Sequence, residues 1–384
     1  MVRTAFIFSA LIAFHLATVA AACPLCGPSL QSIADDVAGA NAVVVARFVS
    51  AIPVSEEDAP GQKAVQVTLK IVDVIKGEAQ LKATNISSVY YGQLQPGDLF
   101  LLLAIRRDRL EWTTPLKISE RTRSYLPQLS KLPKDGSERL AFFLTYLEDD
   151  DALLAQDACR EFVKAPYATI RVLADRLPRE KLLRWVETPR VAGHRQLYFM
   201  LLGLCGEWRD LPRLEAMLRS TPGKPKTGVD AMIACYLSIA GEDGLPLVEE
   251  LFLKNTKAAF PDTYAAMMAI QFHITEAKIL PRDRLLSALR SVLERPQIAD
   301  LVIPPLVHCQ DWSCVDKLAE LFKAADDKSN FVKLPIINYL RVCPLPEAKQ
   351  RLAELEKLDP ETVQRAITMF PQPFNTAAAP STIR

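Results

Sequence analysis

The sequence predicts an α+β protein of more than one domain, in which a small β-barrel is followed by an α-solenoid. Seven of the 14 glycines fall between Cys23 and Gly136, where short apolar stretches alternate with polar residues. From Ser137 onward, apolar residues recur at helical spacing instead, in segments that repeat along the chain. These two patterns predict a β-domain over 23–130 and a solenoid over 137–369.

Composition places the chain among ordinary globular proteins. Of its 384 residues, 49% are apolar and 24% are charged, and the formal net charge is +1. Nucleic-acid-binding proteins usually carry a clear basic surplus, so we expect no nucleic-acid partner. The composition also excludes a wholly disordered chain and a multi-span membrane protein.

The first 22 residues have the three parts of a secretory signal peptide. Arg3 supplies the positive start, residues 5–19 are apolar apart from three positions, and the alanines at 20–22 form a small-residue cleavage site. The mature chain is therefore expected to begin at Cys23 and to be exported to the periplasm or the extracellular space. No later run of about 18 consecutive apolar residues follows, so we expect no transmembrane span.

Cys23 and Cys26 form a CxxC pair directly after the predicted cleavage site. We interpret the pair as a structural disulfide that pins the mature N-terminus. Two alternatives stay open. One is lipidation of Cys23, which would anchor the chain to a membrane through acyl groups, and the other is a redox dithiol. A zinc site would need further ligands, and the next cysteine or histidine is Cys159, so we expect no metal here.

The first domain carries the pattern of five or six short strands. Residues 65–71 alternate strictly between apolar and polar side chains, which is typical of a half-buried strand. The alternation slips at Val72 and Val74, which predicts a β-bulge. The turn sequence Gln-Pro-Gly-Asp at 95–98 precedes a further strand at 99–105. So many short strands in about 100 residues predict a small barrel or sandwich.

The second domain shows an internal repeat. Gly206, Gly241, Cys309 and Cys343 each end an apolar segment, and their spacings are 35, 68 and 34 residues. Because 68 is twice 34, the four positions fit one period with two helices per unit, which is typical of an α-solenoid. A helical bundle without repeats is the alternative. The last residues, 370–384, contain three prolines and a tract of small residues, and they are predicted to be a disordered tail.

The common catalytic motifs are missing from the sequence, which contains no HExxH, GxSxG, GxxxxGK[ST] or GxGxxG. Three histidines of the mature chain are interpreted as structural: His194, His273 and His308. The acidic run at 148–151 lacks the spacing of a calcium loop and is interpreted as the start of a helix. Cys309 and Cys314 flank a turn and could form a second disulfide. We therefore expect no cofactor and no metal, and we lean against an enzyme without deciding the question.

Segments of the first domain resemble the netrin-like module of the tissue inhibitors of metalloproteinases, which is a barrel of the OB type. The matching features are the cysteine at the mature N-terminus and three segments: ADDVAGANAVVVARFVS at 34–50, VQVTLKIVDVIKG at 65–77 and GDLFLLLA at 97–104. The resemblance implies an OB or netrin-like barrel, and it implies that the amine and carbonyl of Cys23 bind the zinc of a protease. The helical region resembles HEAT-like solenoids, which typically bind other macromolecules along one face.

The mature chain as a whole resembles a family of uncharacterised exported bacterial proteins, through its CPxC start, PGDLFLL at 96–102, LLGLCG at 201–206 and YLRVCPLPEA at 339–348. That resemblance implies the same two-part organisation and no particular activity. We therefore predict an exported, non-catalytic binding or scaffold protein of the cell envelope, whose partner is a protein or another envelope component. The alternatives are a metalloprotease inhibitor or thiol-redox module that acts through Cys23 and Cys26, and an enzyme with an unrecognised site.

Overall fold

The computed structural model describes residues 31–54, 64–82, 84–220, 227–326 and 330–371. In these ranges the chain forms a short helix, then an antiparallel β-sheet, then a long series of helices, so the predicted α+β class is confirmed. The predicted signal peptide, Cys23 and Cys26 lie outside the described residues, as does nearly all of the predicted tail.

Six strands form the sheet: β1 Ala42–Pro53, β2 Val65–Lys76, β3 Asn85–Tyr90, β4 Leu99–Arg106, β5 Leu110–Trp112 and β6 Leu116–Ile118. The strands pair antiparallel in the order β3-β2-β1-β4-β5, and β6 also pairs with β4. In the β1–β2 pair, Val45 lies opposite Asp73 and Ala46 lies opposite Ile71, which leaves Val72 as an extra residue. The predicted bulge is therefore confirmed, and a bulge of this kind increases the twist of the sheet.

The sheet is strongly curled. The ring of Tyr90 on β3 contacts the ring of Phe100 on β4 with centroids 5.1 Å apart, although β2 and β1 lie between these strands. Three strand spacings in a flat sheet would span roughly 14 Å, so the sheet must bend back on itself. The inner face of the curl encloses its own core of buried side chains: Val44, Ala46, Val67, Leu69, Ile71, Ile86, Phe100 and Leu102.

The described residues form seventeen α-helices. They are α1 Ile33–Gly39, α2 Glu120–Leu129, α3 Ser137–Leu144, α4 Ala152–Lys164, α5 Tyr167–Arg171, α6 Arg179–Trp185, α7 Arg195–Cys205, α8 Leu211–Arg219, α9 Val229–Ala240, α10 Leu245–Val248, α11 Phe260–Phe272, α12 Arg282–Arg290, α13 Ala299–His308, α14 Val315–Ala324, α15 Lys333–Val342, α16 Pro346–Leu358 and α17 Pro360–Met369.

From α7 onward the helices alternate between two rows. In the first row α7, α9, α11, α13, α15 and α17 pack against one another in sequence, and the intervening helices pack beside them as a second row. The residues that cap the C-termini of α7, α9, α13 and α15 are Gly206, Gly241, Cys309 and Cys343. These are the four positions of the sequence repeat, so its period corresponds to the step from one helix of the first row to the next.

Among the described residues, one helical stretch, Val229–Leu253, is long and apolar enough to cross a membrane by length and composition. It comprises α9, α10 and the turns that follow each of them. In the fold, 61% of its most apolar window is buried, and α9 packs between α7 and α11. Its apolar side chains thus fill the space between neighbouring helices of the first row.

A continuous hydrophobic core joins the outer face of the sheet to the last helix. Val43 and Val45 of β1 contribute to it from the sheet, Tyr125 and Leu126 contribute from α2, and Ala366 contributes from α17. Because all of these side chains are buried in one core, the sheet and the helix rows hold fixed positions relative to each other.

Candidate functional site

Seven polar side chains meet where α1 docks on α4. We call them the junction cluster: Ser32, Asp35, Tyr125, Arg139, Asp157, Glu161 and Lys164. Asp157 and Glu161 lie one helical turn apart on α4, and each is only 1% exposed. Burying a carboxylate without partners is costly, so the partners of these two groups define what the cluster does.

Asp157 accepts hydrogen bonds from two uncharged donors. The amide of Ile33 donates to Oδ1 at 2.6 Å, and the hydroxyl of Tyr125 donates to Oδ2 at 2.6 Å. Burial raises the pKa of Asp157 to about 6, because the two bonds offset the loss of hydration only in part. This carboxyl therefore changes its charge within the ordinary pH range.

Glu161, in contrast, is bound by two cations. Arg139 Nε donates to Oε2 at 2.7 Å, and Lys164 Nζ lies 2.6 Å from Oε1. Ser32 Oγ donates to the same Oε1 at 2.5 Å, and Lys164 also reaches Asp35 at 2.6 Å. Since Ser32 and Asp35 form the capping box of α1, these bonds lock the first turn of α1 onto α4.

The junction cluster fixes the N-terminal segment of the described chain to the body of the protein. It fixes Ser32, which follows Cys26 by six residues, and it binds the start of α1 to α4 through a bond 129 residues apart in sequence. Sequence reasoning missed the cluster. The one available signal was the presence of two carboxylates, Asp157 and Glu161, at helical spacing beside the buried Phe162.

A cleft of about 530 Å³ lies between β2 and α2. Asp73 and Arg123 form part of its wall, together with Ser124 and Pro127. Arg123 Nε donates to Asp73 at 2.5 Å, and another nitrogen of Arg123 donates to Glu120 at 3.2 Å. The Arg123 guanidinium is thus already neutralised by carboxylates of the same chain, while Lys82 also lines the cleft.

The acidic run 148–151 lies beside a smaller cleft of about 250 Å³. Asp151 is the N-cap of α4 and accepts a hydrogen bond from a backbone amide of that helix, so the interpretation as a helix start is confirmed. Asp149 accepts from Arg121 Nε at 2.7 and 2.9 Å, and this pair connects the run to α2. These carboxylates are used to position helices.

His194 and His273 are buried and hydrogen-bonded, which supports their interpretation as structural residues. His194 Nδ1 lies 3.3 Å from the hydroxyl of Tyr198. His273 Nε2 lies 3.0 Å from the carbonyl oxygen of Ala234, and burial lowers the pKa of His273 to about 4, so the ring is neutral. His308 is half-buried at the last position of α13.

Cys309 and Cys314 are free thiols, so the disulfide suggested for this pair is not formed in the structure. Both are buried, and burial raises the pKa of each thiol to about 11. The turn between them is held instead by Asp311, which accepts hydrogen bonds from Ser313 and from Arg290.

The other cysteines that the structure describes are also free: Cys159, Cys205, Cys235 and Cys343. Within the described ranges, no group of three or more His, Cys, Asp or Glu side chains is placed to hold a metal ion.

Trp208 is 78% exposed, the highest value for a large apolar side chain in the described part of the chain. It lies in the 3₁₀ turn Trp208–Asp210, where the chain passes from α7 in the first row to α8 in the second. The turn is held firmly, because Asp210 Oδ2 accepts the amide of Glu207 at 2.8 Å and Arg179 Nε at 2.9 Å. The turn therefore holds a large apolar side chain in a fixed position at the surface.

Comparison with protein-family models, curated proteins and solved structures found no significant match to the chain. Any inference about function therefore rests on features of the chain itself, such as the junction cluster and the Trp208 turn.

Proposed function

We propose that the chain is an exported, non-catalytic binding or scaffold protein of the cell envelope, which captures a protein or another envelope component. We also propose that its sheet is an OB or netrin-like barrel and that its helix rows are a HEAT-like solenoid, as in the exported family that the sequence resembles. The strand order and the curl of the sheet support the first assignment, because OB folds are partly open Greek-key barrels. The single period that relates the helix ends supports the second.

The exposure of Trp208 carries the proposal of a binding function. An indole that is 78% exposed leaves most of a large apolar surface in water. At about 25 cal/mol per Å² and about 200 Å² for a tryptophan, burying it against a partner would contribute roughly 4 kcal/mol before the cost of association. The bonds of Asp210 hold the turn in place beforehand, so little conformational entropy would be lost on binding.

The junction cluster supports a role in the envelope. It binds the chain at Ser32 to the body of the protein, only six residues after Cys26. A disulfide between Cys23 and Cys26, or an acyl anchor on Cys23, would therefore act on a short connection to a rigid body. An acyl anchor would keep the Trp208 turn close to the membrane, whereas a Cys23–Cys26 disulfide would stiffen the connection within the chain.

Site-specific photo-crosslinking in the native host tests the proposal. The full chain carries a photoreactive amino acid in place of Trp208 or, as a matched control, in place of Val172, which is 67% exposed. We expect a discrete adduct from the envelope fraction with the first chain and not with the second. With the partner then identified, Trp208→Ala should weaken its binding to the purified chain at least tenfold, and Cys23→Ser should leave that binding unchanged.

Three results would contradict the proposal. The first is that neither position gives an adduct. The second is the same adducts at both positions, which would indicate random collisions. The third is a chain that remains in the cytosol of its host, because export is part of the proposed function.

A further inference from the structure

The last helix of the first row has one face that no other described element covers. α17 buries Thr362, Val363 and Ala366 on the side that packs against α15 and α16. Each of α9, α11, α13 and α15 packs on a first-row helix on both sides, whereas α17 does so on one side only. α17 therefore presents the face that, elsewhere in the row, receives the next helix.

A shallow groove of about 520 Å³ runs along this face. It is lined by two columns of side chains on α17: Pro360, Glu361, Gln364, Arg365, Thr368 and Met369. Apolar side chains are exposed at both ends of the groove. Pro360 lines one end, two residues after Leu358 at the end of α16, which is 61% exposed, and Met369, which is 59% exposed, lines the other end. The groove thus has apolar ends and a polar centre.

Two opposite charges occupy that centre. Glu361 and Arg365 are one helical turn apart, a spacing at which such residues often pair with each other. In the part of the chain that the structure describes, neither of them forms an ion pair. Both charges are therefore available to a partner, and any partner that satisfies them must present a positive and a negative group at the same spacing.

We propose that this partner is a second copy of the chain, and that two α17 helices pack antiparallel across a two-fold axis close to Gln364. The axis brings Leu358 and Pro360 of each copy to the exposed Met369 of the other. It also places Glu361 of each copy within roughly 5 Å, along the helix axis, of Arg365 of the other, which an arginine side chain spans. In this arrangement the apolar ends of one copy meet the apolar ends of the other, and each negative charge meets a positive charge. The face is thus complementary to itself, as an isologous interface requires.

The expected dimer is weak and reversible. One ten-residue helix per copy covers less than the roughly 800 Å² per partner that a standard stable interface buries. The ion pairs lie near the surface, so high salt should weaken association further. Self-association should therefore depend strongly on protein concentration and on ionic strength.

Sedimentation equilibrium of the full chain, over a wide concentration range at low salt, tests the proposal. The wild-type weight-average mass should rise from that of a monomer toward that of a dimer. Glu361→Arg gives each copy two arginines on the face, and Arg365→Glu gives each copy two glutamates. Each variant alone should remain monomeric over the same range. An equimolar mixture of the two should dimerise again, because every cross-pair is then of opposite charge.

The matched control is Arg109→Glu, an exposed charge reversal on the β4–β5 turn, which should dimerise like the wild type. Circular dichroism of each variant establishes that it is folded. A wild-type chain that stays monomeric at all concentrations would overturn the proposal. Dimerisation of either reversal variant to the wild-type extent, or failure of the mixture to dimerise, would also overturn it, because the association would not run through paired α17 helices.

Discussion

The hydroxyl of Tyr125 on α2 donates a 2.6 Å hydrogen bond to Oδ2 of Asp157 on α4, and each of these residues is only 1% exposed. Burial next to this carboxyl raises the pKa of Tyr125, so the phenol stays protonated and remains the donor. The other oxygen of Asp157 holds the amide of Ile33 in α1. One buried carboxyl thus connects three helices: α1 before the sheet, α2 after the sheet and α4 before the two rows.

Tyr125→Phe removes one of the two donors to Asp157 and leaves the ring in place. We expect the free energy of unfolding to fall by about 1 to 3 kcal/mol, because a buried carboxyl oxygen loses its partner. Urea unfolding followed by circular dichroism measures the change. Tyr91→Phe, at a tyrosine that is 55% exposed, is the matched control and should alter stability by less than about 0.5 kcal/mol. Equal effects of the two substitutions would mean that the Tyr125 bond contributes nothing.

Asp157 should also give the fold a measurable pH dependence. Its pKa is about 6 in the folded chain, against about 3.9 for an ordinary aspartate in an unfolded chain. The folded state therefore binds this proton more tightly. Asp157 therefore contributes its full stabilisation at a pH below its pKa in the unfolded chain, and this contribution is lost as the pH rises through 6.

The substitution Asp157→Asn isolates this contribution, because an amide does not titrate. Between pH 7.5 and pH 4.5, the stability of the wild type relative to this variant should increase by about 2 kcal/mol. Denaturant unfolding of both proteins at both pH values gives the double difference, in which the other titrating groups cancel. If the difference between the two proteins is the same at both pH values, the pKa of Asp157 is not raised by folding.

Arg295 stabilises the end of the π-helical turn Glu249–Leu253. Its guanidinium is buried, and Nη1 lies 3.0 Å from the carbonyl oxygen of Phe252, 3.1 Å from that of Leu253 and 2.9 Å from the hydroxyl of Thr263. Arg295→Met fills similar space without donors, so we expect a loss of about 3 kcal/mol of stability. Arg284→Met is the control. Its exposed pair with Glu242 should contribute less than about 1 kcal/mol, and comparable losses for the two variants would contradict the role of Arg295.

Features of the fold that depend on short stretches of sequence could be predicted. The bulge at Val72 follows from a slip in a two-residue alternation, and the helix ends at Gly206 and Cys309 follow from where apolar helical patterns stop. In each case, the residues that form the sequence pattern and the residues that form the structural feature are close neighbours along the chain. Such patterns are decided by local backbone geometry and by which face is buried.

The candidate sites were not predictable in the same way. The bond from Ser32 to Glu161 joins residues 129 positions apart, and the spacing of the two carboxylates on α4 does not show which groups they contact. The exposure of Trp208 also depends on tertiary packing, since an indole in an amphipathic segment is ordinarily expected in the core. Both features arise only from the packing of helices that are distant in sequence.

The thiols of Cys309 and Cys314 should be unreactive in the folded chain and unpaired. Because burial raises the pKa of each to about 11, alkylation at pH 7.5 should be more than tenfold slower than in the denatured chain, where an ordinary thiol pKa of about 8.5 applies. Mass spectrometry of the peptide that contains both residues measures the outcome, with the denatured chain as the reference. Two alkyl groups added only after denaturation, with or without reductant, would confirm free thiols. A peptide that takes up no alkyl groups until it is reduced would contradict the structure. It would show that the turn is held by a disulfide between Cys309 and Cys314 as well as by Asp311, as happens in proteins of an oxidising compartment.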